Sequence, residues 1–584
     1  MPSPSSARLP LLLLLGASAC APAAPHPAPE PPALTAPASQ AAEPAPGVAA
    51  PRPRDRFAVA SENATGVEVA REVLERGGTA VDATVVGVLV ACAAHASSCG
   101  LGGGGVSIVK PSGAEAWVVD FREVAPHGIR RADHLSRTPP DQRRGVMVGV
   151  PGLVAGLWEM HQRGGKLAWA DLVGRAAEVI ETGIPLSPYM AQALSWSAKW
   201  VRDDPAAAAL FVADPESKVG ETLANPALAK ALRAVAEKGP AGFYQGAIAD
   251  DIVMSARAAG SRIIAADLSG YRAVVRAPLR TRWEGVDVLG APPPSGGGVT
   301  VASVLGFVRK GDIDDHEWGS GALVHILAEG VRGAHVDRTK YVGDPDFTKT
   351  DPAGILDPAK LRERRAAVKM DATNMPKLPS IAEGGTLHFV AVDDAGQVAS
   401  TTVTLTSMFG AKIVTKSGFV LNDALTDFTT DDYGQRAATR GPNFPRGGAR
   451  PVSSLTPTIV LRGAEPILAL GGSGGLRAPS AVAQVILAHL GKAKVLPEAV
   501  SAPRFHVASS GALFLDEGLT PIKPDLVSRG EVVSLAGPSF AAVTAVGLRE
   551  EAGVRVLEPV FDPRKGGAVT VGRGKAVTAP TPKP

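Results

Sequence analysis

Cysteine is scarce in this chain, and neither sign of charge dominates it. Only 3 cysteines occur among 584 residues, which excludes a disulfide-stabilised mini-scaffold and any zinc or iron–sulfur site with four thiolate ligands. Lys and Arg together number 60 against 57 Asp and Glu, a formal net charge of +3. A charge this balanced excludes a protein that binds nucleic acid by neutralising phosphates over its whole surface.

The apolar run at the N-terminus is also short. Residues 9–15 fall well below the ~20 apolar residues needed to cross a bilayer, and they lie between Arg8 and the small residues before Cys20. This pattern predicts an export signal over residues 1–20, of the lipoprotein type with Cys20 acylated; an ordinary cleaved signal is the alternative. The protein is therefore expected in the periplasm, with Cys20 as its expected lipid anchor.

Residues 21–53 contain 11 Pro and 12 Ala and hence little apolar surface to bury. They are predicted to form an extended, semi-rigid tether. The other two cysteines, Cys92 and Cys99, leave two interpretations open. They could pair in an exported protein, but on one continuous helix they would lie about 10 Å apart, too far for a disulfide. Two free or buried thiols are the alternative.

The order of predicted elements in the remaining chain, with helices early and strands late, indicates an α+β protein. Helical spacing covers residues 65–77 and 81–95. Later, residues 386–393 and 398–405 read as two strands joined by a hairpin turn at 394–397. No His-x-x-x-His or Cys-x-x-Cys grouping occurs, so no metal site is expected.

One segment matches the pattern of a nucleophilic serine on a strand-to-helix turn. Residues 471–475 read GGSGG, with a predicted strand before and a helix after, which favours an α/β-hydrolase that uses Ser473. Such an enzyme needs an acid and then a histidine later in the chain. His489 and His506 are the histidines that follow. No aspartate lies between Ser473 and either of them, and the one glutamate, Glu498, lies only eight residues before His506. This hypothesis is therefore the weaker one.

Thr386 is the stronger candidate. It opens a predicted strand directly after Gly384 and Gly385. If the bond before Thr386 is cut, the residue gains a free α-amine that can act as the base for its own hydroxyl. Taken alone, the pattern also fits an ordinary threonine at the start of a strand.

The surroundings of Thr386 make the sequence resemble the gamma-glutamyltranspeptidase family. The resemblance runs through nearly all of residues 57–572, and the matching segments occur in the family's order. They are residues 77–83 (GGTAVDA), 102–105 (GGGG), 120–123 (DFRE), 149–152 (GVPG), 292–297 (PPPSGG), 341–347 (YVGDPDF), 386–388 (TLH), 450–454 (RPVSS), 474–475 (GG) and 503–506 (PRFH).

This resemblance implies an N-terminal-nucleophile hydrolase, a four-layer αββα sandwich in which two sheets lie between helix layers. It implies a proenzyme that cuts itself between Gly385 and Thr386. The products would be a large subunit, residues 54–385, and a small subunit, residues 386–584, which stay together. The activity implied is hydrolysis or transfer of the γ-glutamyl group of glutathione or a related amide, to water or to an amino acid or peptide, without a cofactor.

The resemblance also implies roles for individual residues. Thr386 is the nucleophile and Thr404 a threonine that hydrogen-bonds it, while the Gly474 and Gly475 amides stabilise the oxyanion. The donor is held by charged and hydroxyl side chains: Arg122 for the α-carboxylate, Asp427 for the α-ammonium, and Ser453, Ser454 and Thr406 beside them. Arg122 could instead form a surface ion pair with Glu123.

The chain departs from the family pattern at three positions. Leu387 replaces a second threonine, Thr406 stands where Asn or Glu is usual, and Ala424 where Gln or Glu is usual, unless Asp423 substitutes for the last. These changes concern donor specificity. A related acylase acting on glutaryl or other amides is the alternative function, which Asp427 argues against because a carboxylate left unpaired in a pocket is unfavourable. A non-catalytic exported binding protein is disfavoured because the implied catalytic residues are all present.

Overall fold

The computed structural model describes residues 53–130, 144–212, 214–376, 384–429, 441–535 and 541–576. The predicted export signal with Cys20, and all but the last residue of the predicted tether, lie outside these ranges. Within them, no helix is both long and apolar enough to cross a membrane.

Eighteen strands occur in the described part of the chain. In chain order, β1 to β18 are Pro53–Ser61, Gly104–Lys110, Trp117–Phe121, Ile184–Pro185, Thr222–Leu223, Val274–Arg276, Leu279–Trp283, Val286–Gly290, Thr386–Val392, Val398–Thr404, Thr458–Arg462, Glu465–Ser473, Phe505–Val507, Leu513–Leu515, Val533–Leu535, Ala542–Glu551, Val554–Val560 and Ala568–Ala576.

The α-helices of the described residues lie mainly before residue 370. They are Ala64–Glu75, Ala80–Ala94, Leu153–Gly164, Trp169–Thr182, Pro188–Trp196, Ala198–Asp203, Pro205–Leu210, Pro226–Lys238, Ala241–Tyr244, Ala247–Ala258, Ala265–Gly270, Gly296–Phe307, Lys310–Asp314, Gly321–Tyr341, Pro352–Ile355, Pro358–Ala366, Arg477–Ile486, Leu496–Ser501 and Lys523–Ser528. Short 3₁₀ turns cover Arg144–Met147, Glu216–Lys218, Ala424–Asp427 and Glu517–Ile522, and a π turn covers Leu487–Gly491.

Two antiparallel sheets form the centre of the fold. One has seven strands in the order β18-β1-β9-β10-β2-β3-β6, and the other has six in the order β17-β16-β12-β11-β8-β7. Their facing sides share a layer of small and β-branched side chains, among them Ala58, Val106 and Ile108 from the first sheet and Ile459 and Val546 from the second. The two sheets therefore pack face to face, as in a sandwich.

A helical layer covers the outer side of each sheet. Val81, Val85 and other side chains of Ala80–Ala94 pack with Phe389 on the seven-stranded sheet. Helices Gly296–Phe307, Gly321–Tyr341 and Arg477–Ile486 pack on the six-stranded sheet. The predicted four-layer αββα arrangement is thus confirmed.

The helix Ala80–Ala94 shows why the first outer layer forms. Thr79 caps its N-terminus in a reciprocal capping box with Asp82, which satisfies two backbone donors. The helix is apolar on all sides and nearly all of it is buried, since it lies between the sheet and other helices.

The hairpin predicted around residues 394–397 is confirmed. Strands β9 and β10 pair in antiparallel register from Val392–Val398 to Thr386–Thr404. Gly396 takes a φ of +93° in the turn, a conformation that favours glycine. This register alone places Thr404 directly across from Thr386.

Candidate active site

Thr386 and Thr404 face one another at the open end of the hairpin. Their hydroxyl oxygens lie 3.3 Å apart, and both side chains are buried. The Thr404 hydroxyl accepts a hydrogen bond from the Thr406 amide at 2.8 Å and donates one to the Gly385 carbonyl oxygen. One threonine thus contacts both the candidate nucleophile and the carbonyl that the nucleophile would attack.

The backbone around the scissile bond has no room for side chains. A Cβ on Gly385 would lie 2.3 Å from the Ser97 carbonyl oxygen, and one on Gly384 would lie 2.6 Å from the Met408 nitrogen. Glycine at both positions lets the chain pass close to these neighbours.

The segment that supports this bond is closed by a disulfide. Helix Ala80–Ala94 ends before His95, the chain turns, and the Cα atoms of Cys92 and Cys99 come within 4.9 Å of each other as a bonded pair. The premise of one continuous helix, which would have kept the thiols apart, is therefore wrong. Inside the loop, Ser98 and Ser97 carbonyls accept hydrogen bonds from Leu405 and Phe409 at 2.9 Å.

Thr386 and Thr404 line a cavity of about 360 Å³ together with Gly475. Strand β12 ends at Ser473, and Gly474 and Gly475 follow with φ values of +128° and +61°. A Cβ on Gly474 would lie 2.8 Å from the Ala541 Cα, so this turn also depends on glycine. The predicted oxyanion segment thus reaches the same cavity as the nucleophile.

Charged side chains form another wall of this cavity. Arg122 follows β3 and is 1% exposed; Asp427 ends the 3₁₀ turn Ala424–Asp427. Arg122 donates through Nη2 to Asp427 Oδ2 at 2.6 Å, and through Nη1 to Glu123 Oε2 at 3.0 Å and Thr406 Oγ1 at 3.1 Å. The alternative of a surface ion pair with Glu123 is wrong, because Glu123 is completely buried.

Three atoms of this cluster have no hydrogen-bond partner among the described residues. They are Arg122 Nε, a donor, and Glu123 Oε1 and Asp427 Oδ1, both acceptors, and all three are buried. Buried polar groups are normally paired. A ligand that offers both an anionic and a cationic group would satisfy Arg122 Nε and one of the two carboxylate oxygens together.

The carboxyl groups here have shifted pKa values. Burial raises the pKa of Glu123 to about 7 against the opposing effect of Arg122, and burial raises that of Asp423 to about 6. Burial also raises the pKa of Asp427, while Arg122 and Arg338 act to lower it. Burial therefore makes all three carboxyl groups easier to protonate than exposed ones.

Arg338 is a cation of this wall that the sequence analysis missed. It lies on helix Gly321–Tyr341 and is 4% exposed, and its Nη2 approaches Ser454 Oγ at 3.4 Å. Burial lowers its pKa to about 10, with Asp427 opposing that shift. The sequence does carry a signal for it. Val324, Val331 and Arg338 are spaced by seven residues, which puts Arg338 on the same helix face as two buried valines.

Ser453 and Ser454 also line the cavity. The Ser453 backbone is bound to the start of helix Gly296–Phe307, since its carbonyl accepts from the Gly296 amide at 2.8 Å. The residues implied for nucleophile, oxyanion and donor are thus brought to one cavity, with Gly474 adjoining it.

The departures from the family pattern have different structural consequences. Leu387 is fully buried in the helix-facing core, on the opposite face of β9 from Thr386. Ala424 is fully buried as well. Asp423 accepts a hydrogen bond from the Ser407 amide at 2.8 Å and does not line the cavity, so it does not take the place of the missing polar group.

Ser473 has a different environment from a serine nucleophile. Its side-chain contact is with Lys565 Nζ at 3.3 Å. His489 binds the Lys494 carbonyl at 2.7 Å, and His506 stacks on the ring of Phe514. Among the described residues, no group of three or more His, Cys, Asp or Glu could hold a metal ion.

The chain is similar to proteins of one known family. A sequence model of the family described as Gamma-glutamyltranspeptidase matches residues 66–572. Glutathione hydrolase proenzyme of Pseudomonas aeruginosa is 34% identical over 472 residues, which cover 77% of this chain and 83% of that protein.

Two solved structures are similar as well. The gamma-glutamyltranspeptidase of Pseudomonas nitroreducens complexed with L-DON is 31% identical, with a TM-score of 0.50, over 53% of this chain and 93% of that one. Cephalosporin acylase of Bacillus halodurans is 21% identical, with a TM-score of 0.78, over 91% of this chain and 98% of that one. The latter likeness shows a shared fold.

Proposed function

Because the chain belongs to the gamma-glutamyltranspeptidase family, we propose that it is a self-processing enzyme that hydrolyses or transfers the γ-glutamyl group of glutathione and related amides. The observation that carries this proposal is the shared cavity. Thr386 and Thr404 line it together with Arg122 and Asp427.

Processing begins at the bond before Thr386. The Thr386 hydroxyl loses its proton and attacks the Gly385 carbonyl carbon, which the Thr404 hydroxyl polarises. The C–N bond breaks as nitrogen takes up the proton, which leaves an ester between Gly385 and the Thr386 side chain. Water then hydrolyses the ester to a Gly385 carboxylate and a free Thr386 hydroxyl and amine.

The two products stay together for a topological reason. Strands β9 and β10 belong to the small subunit of 199 residues, yet they lie between β1 and β2 of the large subunit. Separation would break two strand ladders in the middle of a sheet and expose the core on both faces.

In the processed enzyme, the Thr386 amine acts as the base for its own hydroxyl. The hydroxyl oxygen attacks the γ-carbonyl carbon of the donor, and the amides of Gly474 and Gly475 stabilise the oxyanion. The leaving amine takes the proton, and the acyl group is carried on Thr386. Water or the amine of an amino acid or peptide then attacks this ester and frees the hydroxyl.

The donor's α-amino-acid end is recognised by the charged wall. Its carboxylate is held by Arg122 with the hydroxyls of Ser453 and Ser454, and its ammonium is held by Asp427. The mutual bond of Arg122 and Asp427 uses Nη2 and Oδ2, which leaves Nε and Oδ1 to pair with the donor's two charges.

A glutaryl-type acylase is the second candidate. Asp427 has cationic neighbours in Arg122 and Arg338, so a donor without an ammonium group would not leave this carboxylate unpaired. The charge of Asp427 therefore does not exclude a glutaryl donor. Donor preference separates the two functions.

The test combines processing and donor preference. Mass spectrometry of purified protein should find a small subunit that begins at Thr386, and Thr386→Ala should give one intact, inactive chain. Wild type should prefer γ-glutamyl over glutaryl anilide in kcat/KM, and Asp427→Asn should lower the first value roughly 10-fold or more while sparing the second. A wild-type protein that is active without being cut would contradict the assignment of Thr386 as the nucleophile. A preference for glutaryl donors would favour the acylase function.

We also propose that the enzyme is exported to the periplasm and anchored by an acylated Cys20, as the pattern of residues 1–20 suggests. Cys20→Ser should move the protein from the membrane fraction to the soluble fraction. A soluble wild type would contradict the anchor and leave an ordinary cleaved signal.

A further inference from the structure

A buried ion pair lies behind Thr386, on the side away from Thr404. Lys565 precedes β18 and Glu62 follows β1, and Lys565 Nζ lies 2.5 Å from Glu62 Oε2. Their side chains are 9% and 1% exposed. Burying two charges is costly unless they are paired and otherwise hydrogen-bonded, so the surroundings of this pair are informative.

The Lys565 ammonium contacts the nucleophile residue itself. Nζ donates to the Thr386 carbonyl oxygen at 2.5 Å and to Ser473 Oγ at 3.3 Å, and it lies 4.5 Å from the centre of the Tyr189 ring. Glu62, Thr386 and Ser473 thus use the three donors of the ammonium group. The pair is directed at Thr386 and does not merely fill the core.

The sheet explains why a side chain is needed at this point. Strand β1 pairs with β9 only from Ala58–Val392 to Ser61–Phe389, so it ends three residues short of Thr386. Beyond that point the Thr386 carbonyl has no strand partner on this side, and Lys565 donates to it instead. The ammonium therefore fixes the first residue of β9 where the ladder stops.

The same ammonium is close to the amine that processing would create. Nitrogen and carbonyl oxygen of one residue are separated by roughly 3 Å, which places Lys565 Nζ within about 6 Å of the Thr386 amine. A like charge at this distance disfavours protonation of the amine, whose ordinary pKa is about 7.7–8.0. Only the neutral amine can act as the base.

Other charged or titratable groups surround this point from every adjoining element. They are Glu62, His95, Tyr189, Arg477, the cavity-lining Arg122 and Asp427, and Asp423 beside the cavity. Burial lowers the pKa of His95 to about 3, so it is neutral. Arg122 is offset by its own carboxylate partners, which leaves Lys565 as the cation hydrogen-bonded to Thr386 and Glu62 as its counter-charge.

We propose that Lys565, held in place by Glu62, is a positioning residue that fixes the Thr386 backbone and keeps the processed Thr386 amine neutral at physiological pH. This inference rests on the proposed function, because it requires Thr386 to carry a free amine. It predicts opposite effects for the two members of the pair: loss of the cation raises the amine pKa, and loss of the anion lowers it.

The experiment measures the pH profile of kcat/KM with an anilide donor. Lys565→Met should move the acidic limb up by about one pH unit and lower kcat more than it changes KM, whereas Glu62→Gln should move the limb down. Lys565→Arg, which keeps the charge, should restore the limb toward the wild-type position. Lys230→Met, at an exposed helix position, is the matched control and should change nothing.

The outcomes separate this inference from the proposed function. If wild type is not cut before Thr386, or hydrolyses no anilide donor, the proposed function fails. If wild type is processed and active but the acidic limb stays in place in both Lys565→Met and Glu62→Gln, the inference fails alone. If Lys565→Met keeps its melting temperature but stays uncut while Lys565→Arg is cut, positioning is supported, and the Glu62→Gln profile decides the effect on the amine.

Discussion

The two walls of the cavity around Thr386 are built in different ways. The nucleophile wall consists of hydroxyls and backbone groups on neighbouring strands, with Thr386 and Thr404 paired in one hairpin. The donor wall consists of charges from separate segments: Arg122 after β3, Arg338 on a helix and Asp427 on a 3₁₀ turn.

This difference separates chemistry from specificity. Groups placed by strand register keep their geometry as long as the hairpin forms, and they carry little charge. Groups on the donor wall depend on one another, because each buried charge needs its partners. Variants of the two walls should therefore fail in different assays.

The largest effect is expected from Arg122, which holds the donor wall together. Arg122→Ala removes the proposed partner of the donor carboxylate as well as the partner of Asp427 and Glu123. Truncating one partner of a buried charge pair typically costs about 2–5 kcal/mol of binding, so kcat/KM for a γ-glutamyl anilide should fall by roughly 100-fold or more. Arg122→Lys should be nearly as damaging, since a single ammonium cannot reproduce the bidentate guanidinium. Processing at Thr386 should persist in both variants; an uncut Arg122→Lys would mean that the walls are not independent.

A smaller loss is expected on the nucleophile wall from Thr404→Val. This variant keeps the shape of the side chain but removes the hydroxyl that contacts the Thr386 hydroxyl, the Gly385 carbonyl and the Thr406 amide. Loss of these hydrogen bonds should raise the barrier to self-cleavage by about 1–3 kcal/mol. The rate of self-cleavage should fall roughly 10- to 100-fold, followed on denaturing gels. Thr404→Ser is the control and should retain most of the rate. Equal rates for the valine and serine variants would remove Thr404 from the mechanism.

The charges around the donor wall should also make the folding stability depend on pH. The pKa of Glu123 is about 7 in the folded chain against an ordinary value near 4.5, so the folded state binds more protons between these values and its stability falls as pH rises from about 4.5 to 7. Glu123→Gln should remove part of this decline, on the order of 1–3 kcal/mol.

Urea unfolding between pH 5 and 8 measures this effect, in the Thr386→Ala background so that the chain stays single. Thr404→Ser in the same background is the control and should keep the wild-type slope. Parallel curves for Glu123→Gln and its parent would show that Glu123 does not titrate in this range.

The smallest effect is expected from Ser473→Ala. Ser473 gives one of three acceptors to Lys565 and is not the nucleophile, so kcat/KM should change by less than roughly 3-fold and processing should continue. Complete loss of activity with normal processing would revive the serine-hydrolase hypothesis.

Much of the nucleophile wall could be predicted from the sequence because it is local. The alternation of residues 386–392 and 398–404, with a turn at Gly396 between them, specifies an antiparallel hairpin, and the register follows from the length of the turn. The helices early in the chain and the strand before Gly474 followed from the same kind of pattern. Family resemblance then assigned expected roles to residues within these elements.

The donor wall and the support behind Thr386 were decided by the tertiary structure. Arg122 and Asp427 are 305 residues apart, and Lys565 and Glu62 are 503 apart, so no local period relates them. The same holds for Arg338, whose place beside Ser454 depends on how its helix packs on the second sheet. Even the Cys92–Cys99 pair depended on where a helix ends, which the apolar run through residue 95 did not reveal. Sequence periodicity specifies which face of an element is buried, whereas the partner of each buried charge is chosen only when the layers come together.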